Sequence, residues 1–187
     1  SAGALVSDPS ATSIKYQRLT EIVEEIIAKG EKVIIFTSYT TMIDIFMNDL
    51  VERLKVKTMC IYGETPISER QSIVDQFNEY PRSAVLILNP KAAGVGLNIT
   101  GANHVIHYNL EWNPALEDQA SARSYRRGQK KTVFVYRLFY EQTVEQVINE
   151  RLCRKRDIAE NAIVGTDGAE QDRRDLLEAL RMIPEII

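Results

Sequence analysis

Cysteine is scarce in this sequence: Cys60 and Cys153 are the two among 187 residues. Two thiols are too few for a disulfide framework and fit a reducing, intracellular compartment. No Cys/His cluster has zinc-ligand spacing, so no metal site is expected in this chain. Long hydrophobic runs are missing as well. Ala84 to Leu88 is the longest purely apolar stretch near the middle, far short of the roughly 20 residues that a membrane span requires. Glycine and proline number 9 and 6, which excludes a collagen-like chain. The opening SAGALVSDPSATS has neither a basic n-region nor an apolar h-region, and no initiating Met. Residues 1–12 are therefore expected to be a disordered edge, and the chain a piece of a longer protein. No repeat recurs at a fixed period and no tract is of low complexity.

What is present is the composition of one ordinary globular domain, 44% apolar and 26% charged. At this length about two-thirds of the unfolded surface can be buried, so a core forms without disulfides or metals. The formal charge is 23 − 26 = −3, which argues against a surface coated for nucleic acid. The charge is unevenly spread, however. Arg123, Arg126, Arg127, Lys130, Lys131 and Arg137 face a single acid, Asp118, across 118–137, whereas from Asp157 onward eight acids face Arg173, Arg174 and Arg181. The basic stretch could meet phosphates; the acidic tail would not.

Hydrophobic periodicity supplies the architecture. Leu19, Ile22, Val23, Ile26 and Ile27 mark an amphipathic helix that Gly30 is placed to end. Val33 to Phe36 reads as a buried strand. A helix on Ile43, Phe46, Met47, Leu50 and Leu54, a strand from Lys57 to Tyr62, and a helix on Ile73, Val74 and Phe77 follow. Further strands are expected at Ala84–Leu88, His104–Tyr108 and Thr132–Leu138, with a helix between the last two starting near Pro114. Strands alternating with helices in this way form right-handed crossovers and a doubly wound parallel sheet: the fold class is α/β. After Thr143 the pattern is helical only, with one stripe on Val144, Val147, Ile148 and Leu152 and another on Leu176, Leu177, Leu180 and Ile183, separated by a loop over Gly165 to Gly168. The expected division is 13–142 for the α/β body and 143–187 for a helical extension.

Ligands of such sheets bind beyond the carboxyl ends of the strands, so the residues just after each apolar run are the informative ones. Thr37, Ser38, Tyr39 and Thr40 form a hydroxyl cluster suited either to a phosphate or to plain helix capping. Gly63 opens the loop GETPISER, with Arg70 near the next helix start; a capped turn with a solvated arginine is the alternative. In NPKAAGVGLNIT, Gly94 and Gly96 permit close backbone approach, and Lys91 supplies a positive charge. That segment is neither a dinucleotide fingerprint nor a Walker A loop. In EWNPALEDQASARSYRRGQ, residues 111–129, Gln119, Arg123 and Arg126 share one helical face. Two guanidiniums there match phosphate oxygens, or else pair with Glu117, Asp118 or the acidic tail.

Taken in order, KVIIFTSYT, the Gly63–Arg70 segment, AAGVGLNIT, NHVIHYNLEWNP and DQASARSYRRGQ resemble the C-terminal RecA-like lobe of SWI/SNF-type ATPases, over roughly residues 13 to 160. These are superfamily-two helicase relatives that translocate on double-stranded DNA, and many of them remodel protein–DNA complexes. The resemblance implies that Arg123 and Arg126 are arginine fingers, with Gln119 beside them, and that Gly94 and Gly96 lie at the nucleotide cleft. It further implies that Thr37, Ser38, Gly63, Arg70 and Lys91 face the phosphates of the tracked DNA strand, with Trp112 and Asn113 close to the duplex. The sequence departs from the family's pattern at Asn89, Pro90 and Lys91, where Ser-Thr-Arg is common, and at Ala122 and Tyr125. Lys91 keeps the charge of the usual arginine but not its fork.

The sequence contains no Walker A loop and no DExH tetrad. By resemblance, ATP and Mg2+ are bound mainly by the first RecA-like lobe, so this lobe alone is expected to be inactive. Double-stranded DNA, that first lobe and a protein–DNA complex are the partners implied, with no membrane. Two alternatives stand beside this expectation: an RNA helicase lobe, and a nonenzymatic module whose arginines grip an acidic partner.

Overall fold

The computed structural model describes residues 13–92, 96–111, 131–141 and 143–160. Helix α1 (Ile14–Ala28) buries Tyr16, Leu19, Ile22, Val23 and Ile26, the stripe its periodicity predicts. It ends as expected at Gly30, which adopts φ +75. The Gly30 and Glu31 amides return to the carbonyls of Ile27 and Ile26 at 3.0 and 3.2 Å, the paired bonds of a Schellman stop. Strand β1 (Val33–Phe36) is buried at every position. Next come α2 (Thr40–Leu54), β2 (Lys57–Ile61), α3 (Ile67–Glu79), β3 (Ala84–Leu88), β4 (His104–His107), β5 (Phe134–Arg137) and α4 (Val144–Glu160). Strand β2 stops one residue short of the expected Tyr62, because the Tyr62 amide turns to the Thr65 hydroxyl, 3.1 Å away. The expected helices from Pro114 and on Leu176–Ile183, and the loop between Gly165 and Gly168, lie outside the described residues.

All pairings are parallel, in the order β2-β3-β1-β4-β5. The chain therefore leaves β1 toward β2, then reverses direction through β3, β4 and β5. With right-handed crossovers, that reversal sends the connections to opposite faces. The packing agrees: α1 and α2 cover Val33, Ile35, Val85, Ile87 and Ile106. Helix α3 and the segment 97–102 cover Ile34, Phe36, Leu86, Leu88 and Val105 on the other face. Because the connections leaving β1 and β3 lie on opposite faces, the topological switch point, where ligands of such sheets bind, falls at the carboxyl ends of these two strands.

Helix α4, expected as the start of an extension, is tied into this body. Its Glu145 pairs with Lys15 of α1, and Val147 and Leu152 are buried. Among the described residues no helix is long and apolar enough to cross a membrane.

Candidate functional site

The carboxyl ends of the five strands place their following loops on one rim, and the polar residues there are cross-linked. Beyond β1, the Thr37 amide extends the sheet by bonding the Leu88 carbonyl at 3.0 Å. Its fully buried hydroxyl donates to Asn109 Oδ1, beyond β4, at 2.7 Å. The Ser38 hydroxyl bonds the Glu111 carboxylate. Beyond β3, Asn89 donates its side-chain amide to the Ser38 carbonyl at 3.3 Å and accepts from the Lys91 amide at 3.0 Å. One asparagine thus braces two strand ends and shapes the loop that carries Lys91.

These contacts change the use expected for the hydroxyl cluster. Helix α2 has Tyr39 at its N-cap with no side-chain cap, and Thr37 and Ser38 turn instead toward the chain leaving β4. The buried Thr37 hydroxyl is not presented to an outside phosphate. Arg70 likewise departs from expectation. It is 8% exposed, and its Nε, Nη1 and Nη2 donate to the carbonyls of Thr65, Ala92 and Gly63 at 2.9, 3.2 and 3.3 Å. In the first turn of α3 its side chain reaches back under the strand-end loops, so the guanidinium holds the β2 and β3 loops together rather than facing solvent.

Lys91 is exposed on the rim, and its ammonium has no partner among the described residues. Gly63 is also exposed, with nothing within 4 Å of where a Cβ would stand, so its backbone can be approached closely. Gly96 has φ +69, a conformation that favours glycine. Gly94, Trp112, Asn113, Gln119, Arg123 and Arg126 lie outside the described residues.

A buried polar cluster beside the rim was not foreseen. Lys15 Nζ meets both Glu145 oxygens at 2.7 and 2.8 Å and lies 5.2 and 5.4 Å from the ring centroids of Tyr108 and Tyr140. Burial pulls the Lys15 ammonium below the ordinary lysine range, against the upward pull of Glu145. Burial, reinforced by the neighbouring Tyr140, raises the Tyr108 phenol to about 12. A signal existed in the sequence: Lys15 falls on the same helical face as Leu19, Ile22 and Ile26, where a charge needs a partner.

A second cluster stands at the opposite end of the sheet. Glu31 meets His104 Nε2 at 2.6 Å, Lys131 Nζ at 2.9 Å and the Asn103 amide at 3.0 Å. Led by the His104 contact and then that of Lys131, these bonds lower its carboxyl to about 2. Lys131 opens the described chain after the arginine-rich segment. Glu111 and Lys131, the described residues on either side of that segment, are thus both paired.

Residues 14–128 match the family described as "Helicase conserved C-terminal domain". The chain is 37% identical over 173 residues to DNA repair and recombination protein RAD54B of Gallus gallus, covering 89% of this chain and 18% of that protein; it spans less than a fifth of that relative's length. The C-terminal part of the Fun30 ATPase domain superposes with a TM-score of 0.71 at 33% identity, covering 78% of this chain and 47% of that one. The Sulfolobus solfataricus SWI2/SNF2 ATPase core, solved in complex with dsDNA, gives a TM-score of 0.67 at 33% identity, covering 92% and 36%. With its five-stranded parallel sheet flanked by helices and the rim described above, the chain belongs to the helicase conserved C-terminal domain family, as a RecA-like C-terminal lobe of the SWI2/SNF2 type.

Proposed function

We propose that this chain is the second motor lobe of a DNA-dependent ATPase that translocates on double-stranded DNA and remodels protein–DNA complexes. In this reading Arg123 and Arg126, with Gln119 beside them, stabilise charge that develops on the transferred phosphoryl group, while the first lobe holds ATP and Mg2+. Lys91 and the exposed Gly63 backbone contact the tracked strand, and Trp112 with Asn113 lies close to the duplex. Gly94 and Gly96 line the nucleotide cleft. Thr37, Ser38 and Arg70 act one step back, holding the loops that make those contacts.

The observation that carries this reading is the likeness, at 33% identity over 92% of the chain, to an ATPase core solved with dsDNA. Lys91, exposed at the topological switch point and with no partner among the described residues, supports it. Phosphate contacts of this kind are independent of sequence, so tracking rather than base reading is the expected mode. The test is ATP turnover by the two-lobed protein with and without duplex DNA. Turnover should rise with duplex, and Arg126→Ala or Arg123→Ala should lower kcat about a hundredfold or more while nucleotide affinity changes less. Wild-type stimulated turnover in both variants would refute the finger assignment. Stimulation by duplex RNA alone would favour an RNA helicase lobe.

A further inference from the structure

Lys15 and Glu145 are 130 residues apart, yet they meet through two charge-assisted bonds. Their surroundings are ordered by further contacts. Glu145 also accepts the Tyr140 amide at 3.0 Å. Thr143 caps the first turn of α4, accepting the Glu145 amide at 3.2 Å and donating to the Tyr140 carbonyl at 2.7 Å. The Ser13 hydroxyl bonds the Tyr140 hydroxyl. The start of α1, the chain after β5 and the start of α4 are thus gathered around one cation.

A buried ion pair is a poor source of net stability, because desolvation offsets the Coulombic attraction. What a two-bond pair supplies is geometry. The element it fixes here is Tyr108, whose ring lies against the Lys15 ammonium and forms a T-shaped pair with Phe46, centroids 5.0 Å apart, and whose amide bonds the Phe36 carbonyl at 2.9 Å. Asn109 follows it directly and takes the Thr37 bond, and Glu111 takes the Ser38 bond. The segment carrying Gln119, Arg123 and Arg126 departs from that turn.

We propose that Lys15 and Glu145 are a positioning pair for the arginine-bearing segment: by holding Tyr108 they fix the Asn109–Glu111 turn from which the segment leaves the sheet, and they couple helix α4 to it. The pair touches no reacting atom; it acts through Tyr108. The proposal rests on reading Arg123 and Arg126 as the fingers.

The test uses the two-lobed protein. The double variant Lys15→Met with Glu145→Met removes both charges together and leaves none buried alone. It should melt within a few degrees of wild type, keep KM for ATP within about twofold, and lose DNA-stimulated kcat by about tenfold or more, since misplacing a catalytic group by an ångström can cost a hundredfold. Lys15→Arg, which keeps the cation on Glu145, should recover kcat to within about threefold of wild type. Should the double variant not fold, Glu145→Gln, which keeps the shape, is read for the same split between kcat and KM. Wild-type kcat in the folded variant, or a loss only in proportion to unfolded protein, overturns the proposal. Arg126→Ala is measured alongside. An inactive Arg126→Ala with wild-type kcat in the pair variant sinks the positioning role alone. Wild-type turnover in Arg126→Ala sinks the finger reading and this proposal with it.

Discussion

Arg70 is the residue at which sequence and structure give opposite expectations for one experiment. A solvent-facing arginine on the rim would contribute a phosphate contact, so Arg70→Ala would flatten the salt dependence of duplex binding by about 0.9 in log K against log salt and leave stability alone. The structure instead turns the guanidinium onto three carbonyls, at 2.9 Å for Thr65, 3.2 Å for Ala92 and 3.3 Å for Gly63. The Ala92 bond is buried and the other two are partly so. A charged donor on a buried carbonyl is worth about 1.5–2 kcal/mol, and each partly solvated bond about 0.5, so Arg70→Ala should cost roughly 2.5–3 kcal/mol. In a chain of this size that lowers Tm by about 5–12 °C. Calorimetric or dichroic melting of this chain measures it, with duplex titrations of the two-lobed protein at several salt concentrations beside it. Lys91→Ala is the internal control, expected to melt as wild type and to lose about 0.9 of the salt slope. If Arg70→Ala melted as wild type and lost the slope instead, the inward guanidinium would be refuted.

Three further outcomes are expected. The isolated chain should hydrolyse no ATP above background; steady-state turnover abolished by Arg126→Ala would refute this. Glu31, whose folded carboxyl titrates at about 2 instead of the ordinary 4.5, adds stability that is present above about pH 4.5 and is lost as pH falls toward 2. The shift is worth about 3 kcal/mol at full strength and roughly 1–2 after screening at this partly exposed site. Glu31→Gln should remove that part of the pH dependence in acid denaturation curves, and an unchanged curve would count against the cluster. Gly30→Ala meets no atom within 4 Å but must hold φ +75, so it should cost about 1 kcal/mol, or about 2–4 °C in Tm; an unchanged melt would mean that the stop of α1 relaxes.

The elements among the described residues were legible because each rests on local pattern. Val33–Phe36 and Ala84–Leu88 are uninterrupted apolar runs of strand length, and both strands are buried at every position. The stripe on α1 and its glycine stop needed only spacing and one positive φ. Which strands neighbour one another was not legible, since β3 enters between β2 and β1 through packing and not through any residue's propensity. The rim was legible as a place and less so in its contacts. Thr37 and Asn109 lie 72 residues apart and Ser38 and Glu111 lie 73 apart, so no local rule pairs them. Arg70 read as facing phosphates, or else solvent, because an arginine near a helix start on a strand-end loop commonly points outward. Only the sheet-end geometry shows that a first-turn side chain on α3 can reach back to the Gly63 and Ala92 carbonyls.

Three hydroxyls connect these observations. Ser13 is the N-cap of α1, where a hydroxyl commonly caps a first-turn amide for about 1 kcal/mol, and Thr37 and Ser38 stand just ahead of Tyr39, the N-cap of α2. Neither helix has a side-chain cap. Ser13 bonds Tyr140, Thr37 bonds Asn109 and Ser38 bonds Glu111. All three partners flank the arginine-bearing segment, two just before it and one beyond β5. Helix stability alone favours the local bond, which closes a loop of two or three residues and costs little chain entropy. Bonding across 127, 72 and 73 residues instead fixes where the chain leaves β4 and where it turns after β5. Thr37 keeps a long local bond from the Tyr39 amide at 3.4 Å besides, but Ser13 and Ser38 use their hydroxyls only on the distant partners, always on the same pair of loops, which is where positional accuracy outweighs local stability in this fold.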